Sequence, residues 1–186
     1  MKHVDKILSI DPSINDTGYS MFHVVRSGYG GQDRKLELIK YGQINNRSKE
    51  QYFHRWGFMK KACHELAAEL QDGPNDDMLV LVEWPDKIHG NIAKRQSGAP
   101  GVLLHAATAG IIADHLSESF DVKMISVSEW IGGLSGFYKK KLNRSLYVLA
   151  TFPSYNDSMD KGYHACDSIA MALWYLEEFM SPYSHR

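Results

Sequence analysis

The order of strand and helix patterns is the feature that most constrains the fold of this chain. Three extended segments follow one another with tight connections, at 4–10, 18–25 and 35–44, which predicts an antiparallel meander. Helical and short strand patterns then alternate, at 52–70, 78–82, 102–116, 122–127, 140–152 and 164–180. Because strands joined through helices pair in parallel, this order predicts an α/β fold with a mixed five-stranded sheet and helices on both faces. Ser128 is expected to cap a further short helix that begins at Glu129.

The length and composition of the chain fit one globular domain spanning 1–186. The chain has 186 residues, of which 44% are hydrophobic and 23% charged. A domain of this size buries roughly 70% of the surface that its unfolded chain exposes, so it needs no disulfide or metal cross-links to fold. No apolar segment approaches the ~18 residues that cross a bilayer. Two cysteines, Cys63 and Cys166, are too few for a disulfide framework, so we expect a reducing, cytoplasmic setting. The net charge of −1 is less basic than is typical of nucleic-acid binders.

Three acidic residues occupy positions where acids are unexpected. Asp11 ends the first strand before Pro12, and Glu83 ends an apolar strand. Asp167 interrupts the apolar face of the last helix one turn after His164, and this spacing places both on one helical face. In a mixed sheet of this order, the first and fourth strands can be neighbours and the last helix can cross them. The four side chains are therefore predicted to converge at one edge of the sheet.

A cluster of carboxylates needs a counter-charge, because gathered carboxylates repel one another and lose hydration. An oxygen-rich site with an imidazole suits Mg²⁺ or Mn²⁺, and two such ions ~4 Å apart can activate water and stabilise a leaving phosphodiester oxygen. Each residue also has a purely structural interpretation. Asp11 can be a turn acid and Glu83 a salt-bridge partner. His164 can cap the helix, and Asp167 can be a first-turn acid favoured by the helix dipole.

Three motifs follow one another along the chain, an opening strand-turn-strand, a second acidic strand and a final helix: ILSIDPSINDTGYSMF (7–22), LVLVEWP (79–85) and HACDSIAMALW (164–174). In this order they resemble the RuvC-like Holliday junction resolvases of the ribonuclease H-like superfamily. The stretches between them also resemble the family, so the likeness covers residues 6–178. The order of the predicted elements matches the ribonuclease H-like fold as well.

The resemblance implies a catalytic metal site and a reaction. The implied ligands are Asp11, Glu83, His164 and Asp167. Two Mg²⁺ ions would be bridged by Asp11, with Glu83 on one ion and Asp167 on the other, and Mn²⁺ is expected to substitute. His164 would be a ligand, an orienting group or a proton shuttle. The family cuts four-way DNA junctions as a homodimer by paired nicks that leave 5′-phosphate ends, and the helix at 102–116 is a candidate dimer interface.

Charge is distributed unevenly along the chain. Residues 65–77 contain five acidic and no basic side chains, whereas 85–100 contain three basic and one acidic, and 123–147 five basic and one acidic. Both basic segments adjoin the predicted site, where they would contact phosphates without reading sequence. The predicted DNA-binding residues are Lys87, Lys94, Arg95, Lys139, Lys140, Lys141 and Arg144. A net charge near zero therefore does not exclude DNA.

One position departs from the family and leaves the DNA-opening residue undetermined. Family members carry an aromatic wedge three residues after the second acid, where this chain has Asp86. Trp84 is nearby but is predicted to lie on the other face of its strand. The alternatives are a related nuclease acting on flaps, branched DNA or RNA, and an inactive junction-binding module. An actin-like ATPase would need a second domain and a second phosphate loop.

Overall fold

Strands and helices alternate along most of the chain. The computed structural model describes residues 4–28, 33–46, 51–71, 77–85, 98–134, 140–156, 158, 160 and 162–180. The strands are β1 (Lys6–Asp11), β2 (Asp16–Ser27), β3 (Asp33–Asn45), β4 (Met78–Trp84) and β5 (Asp121–Ser126). The helices are α1 (Tyr52–Leu70), α2 (Gly98–Ser117), α3 (Val127–Gly133), α4 (Lys141–Thr151) and α5 (His164–Tyr175), with a π-helical turn (Leu176–Met180) after α5. None of the helices in these ranges has both the length and the apolarity to span a membrane.

The strands form one mixed sheet in the order β3-β2-β1-β4-β5. β1 pairs antiparallel with β2, and β2 with β3, whereas β4 pairs in parallel with both β1 and β5. Short connections join the three antiparallel strands, because antiparallel neighbours need only a turn between them. A helix precedes each of β4 and β5, because parallel pairing needs a longer crossover connection. The predicted fold class is confirmed, and β1 and β4 are the expected neighbours.

Alternation of side chains along the strands builds a separate core on each face of the sheet. Ile7 and Leu81 are fully buried on the face covered by α3, α4 and α5, which we call the α5 face. Leu8, Ile10 and Val82 are fully buried on the opposite face, covered by α1 and α2, which we call the α1/α2 face. The prediction of helices on both faces is therefore confirmed.

The last helix crosses β1 and β2 at close range because small residues line the contact. A Cβ atom at Gly18 would collide with the carbonyl group of His164, so a larger residue would push the helix away. Ser9 Oγ donates a hydrogen bond to the Ser168 carbonyl oxygen (2.7 Å), and Ser168 Oγ lies 3.0 Å from Ser20 Oγ. These contacts fix the N-terminal half of α5 against β1 and β2.

Several boundaries differ from those predicted. The helix expected at 102–116 begins at Gly98, and the helix expected to reach 180 changes to a π-helical turn at Leu176. The predicted cap was wrong, because Ser126 rather than Ser128 precedes α3 and accepts a hydrogen bond from Glu129 N (3.1 Å). Two nearby serines look equivalent in a sequence pattern, and the extended backbone that lets one of them cap the helix depends on where β5 ends.

Candidate active site

Two of the predicted acids lie side by side at the ends of neighbouring strands. The parallel pairing of β1 and β4 ends at Ile10 and Val82, and Asp11 and Glu83 are the next residues along each strand. Both carboxylates lie on the α5 face, because side chains alternate and Leu81 lies there. Asp11 is buried. The register of two strands thus brings two carboxylates together where water is scarce.

His164 is the first residue of α5 and contacts Asp11. Its Nδ1 atom lies 2.8 Å from Asp11 Oδ2. The first turn of α5 is capped by Asp160, whose carboxylate accepts hydrogen bonds from Ala165 N (3.1 Å) and Cys166 N (2.7 Å). Asp160 thus caps the first turn of α5, and the His164 side chain lies beside Asp11.

Asp160 is a residue of this site region that sequence reasoning missed. It is buried, and it accepts hydrogen bonds from Tyr155 Oη (2.8 Å) and Gln43 Nε2 (2.6 Å). Tyr163 enters the helix in the left-handed region, with φ of 65°. The sequence signal was an acid shortly before a helix start. Asp160 therefore anchors the loop that sets the position of His164.

Asp167 is paired with an arginine. Arg144 Nε and Nη2 both lie 2.9 Å from Asp167 Oδ1. The Arg144 side chain is 3% exposed and that of Asp167 10%. The guanidinium carbon lies 5.4 Å from the centre of the Trp130 ring. Arg144 thus lies inside the site, which differs from the phosphate contact at the surface expected from the sequence.

The pKa of the Glu83 carboxyl depends on the charges of both other acids. Trp130 Nε1 donates a hydrogen bond to Glu83 Oε2 (2.9 Å). Burial raises the pKa of Glu83 well above its ordinary value, and the negative charges of Asp11 and Asp167 raise it further. The Trp130 hydrogen bond and the Arg144 charge act in the opposite direction. The three carboxylates therefore lie close enough to one another to interact electrostatically.

The chemistry of these groups fits a hard divalent cation. Within the described ranges, no three histidine, cysteine, aspartate or glutamate side chains are already arranged as a ligand cluster. Each acid instead has a protein partner: an imidazole for Asp11, a guanidinium for Asp167 and an indole N–H for Glu83. Carboxylate oxygens are the ligands that Mg²⁺ prefers, and a cation bound by these acids would take the place of the present partners.

The structure describes only some of the predicted DNA-binding residues. Lys140 is exposed immediately before α4, and Lys141 begins α4 with a side chain outside the described part of the structure. Four others lie outside the described residues, as does Asp86 at the wedge position: Lys87, Lys94, Arg95 and Lys139. Their contacts with DNA stay predictions.

Comparison with solved structures relates this fold to Holliday junction resolvases. Thermus thermophilus RuvC in complex with a Holliday junction substrate has a TM-score of 0.63 and 17% identity, covering 93% of this chain and 92% of that chain. Another T. thermophilus RuvC structure has a TM-score of 0.61 and 19% identity, covering 91% and 92%. Fowlpox virus resolvase in complex with Holliday junction DNA has a TM-score of 0.52 and 16% identity, covering 95% and 99%.

These likenesses define the architecture of the chain. No protein-family model matches it, and no curated protein matches it in sequence. At such low identities the shared feature is the fold. The chain has the RuvC-like ribonuclease H fold, and the resemblance carried by its three sequence motifs is confirmed at this level.

Proposed function

We propose that this protein is a metal-dependent, structure-selective endonuclease that resolves four-way DNA junctions. The proposal rests above all on the convergence of three carboxylates and one imidazole, from β1, β4 and α5, at one end of the α5 face. Clustering buried acids costs stability, so a chemical role explains it better than a structural one. Two of the similar structures contain Holliday junction DNA, which supports the choice of substrate.

Asp11, Glu83 and Asp167 would hold Mg²⁺, with His164 as a further ligand or a proton carrier. When bound, the metal supplies an activated water and stabilises the leaving oxygen of a phosphodiester. Adjacent strands present the Asp11 and Glu83 oxygens, and one helical turn of α5 presents His164 and Asp167. His164 Nδ1 lies 2.8 Å from Asp11 Oδ2, and this contact sets the orientation of the imidazole in the site.

Resolution of a junction requires two sites acting on one DNA molecule. We infer a homodimer that forms through α2, which is rich in small residues and whose Leu103 is 69% exposed. Paired, symmetrical nicks would leave 5′-phosphate and 3′-hydroxyl ends. Lys140 and the neighbouring basic residues would contact phosphates, so DNA affinity would fall as salt rises.

A labelled mobile four-way junction tests the proposal most directly. With Mg²⁺, nicks mapped to single nucleotides are expected as symmetrical pairs on opposite strands. Parallel reactions with flap, linear duplex and RNA substrates distinguish a junction resolvase from a general nuclease on the same fold. Junction binding without nicks would identify an inactive binding module, and random nicking would overturn the junction assignment.

A further inference from the structure

Arg144 places a buried positive charge where the proposed function requires a metal ion. Its Nε and Nη2 atoms both lie 2.9 Å from one oxygen, Oδ1 of Asp167. Both residues are buried, so little solvent screens their attraction. A charge-assisted hydrogen bond from a guanidinium is among the strongest that a carboxylate accepts.

The surroundings of Arg144 hold its guanidinium in this position. The guanidinium carbon lies 5.4 Å from the centre of the Trp130 ring, within cation–π range. Trp130 is fully buried, and its Nε1 donates to Glu83 Oε2 (2.9 Å). Side chains from α3 and α4 therefore hold two of the three site carboxylates, Glu83 and Asp167, through groups other than a metal.

We propose that Arg144 is an internal counter-ion that neutralises Asp167 in the metal-free protein and competes with the divalent cation for that carboxylate. This inference rests on the proposed function, because it takes Asp167 as a metal ligand. Oδ1 accepts a hydrogen bond from Arg144 Nε and lies 2.9 Å from Nη2, and a cation bound to the same oxygen displaces both groups. Arg144 is thus a positioning residue that keeps the metal-free site folded and lowers its affinity for metal.

The main test measures Mn²⁺ binding without DNA, by the electron paramagnetic resonance signal of free Mn²⁺. Arg144→Met removes the charge and the donors, and we expect it to bind Mn²⁺ about tenfold more tightly than wild type. Lys60→Met is the matched control, because it removes one positive charge from an exposed position on α1, and its Mn²⁺ affinity should be unchanged. Arg144→Lys keeps the charge with fewer donors and should fall between.

Thermal unfolding supplies a second measurement that does not depend on cleavage. Without metal, Arg144→Met should melt about 10 °C below wild type, because it leaves the Asp167 carboxylate buried without its guanidinium. Saturating Mg²⁺ should recover most of that loss, and so should raise the Tm of this variant more than that of wild type. An equal Mg²⁺-induced rise in both proteins would contradict the competition.

The outcomes separate this inference from the proposed function. Equal or weaker Mn²⁺ binding by Arg144→Met would overturn the competition and make Arg144 a structural support for Asp167. If that variant fails to fold without metal, Arg144→Lys carries the test by the same criterion. Loss of Mn²⁺ binding in Asp167→Asn, with unchanged affinity in the Arg144 variants, rejects the competition alone. A metal-loaded wild-type protein that cuts no junction rejects the proposed function alone.

Discussion

The two faces of the sheet use the same strands for opposite purposes. On the α1/α2 face, β1 and β4 present Leu8, Ile10 and Val82, and burial of this hydrocarbon stabilises the fold. On the α5 face, the same strands present Asp11 and Glu83 near their ends, and the loss of water around these acids costs stability unless a partner compensates. The acids at one end of the α5 face therefore cost stability that the hydrocarbon side chains on the other face do not, and a shift of one residue in register would exchange the two faces.

The largest effect should follow from Asp11→Asn on the α5 face. The amide keeps the size of the side chain but loses the charge that a divalent cation needs. We expect junction cleavage to fall by on the order of 1,000-fold while junction binding is retained. Band-shift and cleavage assays on one preparation measure both quantities.

Asp5→Asn is the control for this variant, because it makes the same change at the opposite end of the sheet. Asp5 immediately precedes β1 and forms a partly exposed ion pair with Arg26 (3.5 Å). Its cleavage rate should match wild type. Loss of binding by Asp11→Asn, with bound junctions still cleaved normally, would contradict the assignment of Asp11.

A large loss of stability without loss of chemistry is expected from Leu8→Ala on the α1/α2 face. Leu8 is fully buried, and its truncation should lower the free energy of unfolding by about 3 kcal/mol. Ile39→Ala, at a position on β3 that is 45% exposed, should change it by less than about 0.5 kcal/mol. Urea unfolding measures the free energy of unfolding of both variants. A slower cleavage rate per folded Leu8→Ala molecule would show that the two faces are not independent.

A smaller effect is expected from pH, through Glu83. In the metal-free protein its pKa is raised above the ordinary value of 4.5, by burial and then by Asp11 and Asp167. The folded state therefore holds this proton more tightly than the unfolded chain does. The Glu83 contribution to stability is full below pH 4.5 and is lost as pH rises through the folded pKa, by about 1.4 kcal/mol per pH unit in that interval.

Glu83→Gln isolates this contribution, because the amide does not titrate. Urea unfolding of the metal-free wild type and variant should show a negative slope of stability against pH in the wild type that the variant lacks. Mg²⁺ binds the ionised carboxylate, so adding it should make the slope of wild-type stability against pH less negative. Identical pH dependence in the two metal-free proteins would show that Glu83 is not perturbed.

The smallest effect is expected from the loss of one indole hydrogen bond, and one such bond on each face of the sheet can be compared. Trp130→Phe removes the donor to Glu83, which should cost about 1 kcal/mol and move the onset of Mn²⁺ binding to higher pH. Trp56→Phe removes a similar donor, to Thr108 Oγ1 (3.0 Å) on the α1/α2 face, and should cost about as much without moving that onset. A shift of the onset in both variants would trace the effect to general destabilisation.

Much of the fold could be predicted because its signals are local. The apolar spacing over 52–70 matches α1 at both ends, and the antiparallel and parallel pairings follow from the lengths of the connections. The acids Asp11 and Glu83 could be found for the same reason, since a charge that ends an apolar strand is visible within a few residues.

Arg144 shows what could not be predicted. It follows three lysines in the run KKKLNR, a pattern typical of an exposed basic surface. Its burial depends on how α4 packs beside α5 and on the Trp130 ring from α3. Asp160 is similar, because its carboxylate is identified as a cap only by the amides and side chains that fold around it.

The sequence by itself determined which residues carry charge into apolar segments, the order of the strands, and hence the edge of the sheet where the acids meet. The tertiary structure decided the partner of each acid: His164 for Asp11, 153 residues away, and Arg144 for Asp167, 23 residues away. The physical reason is the distance along the chain over which each effect acts. Helix and strand periodicities act over a few residues, whereas a buried ion pair forms only where separate elements pack and exclude water.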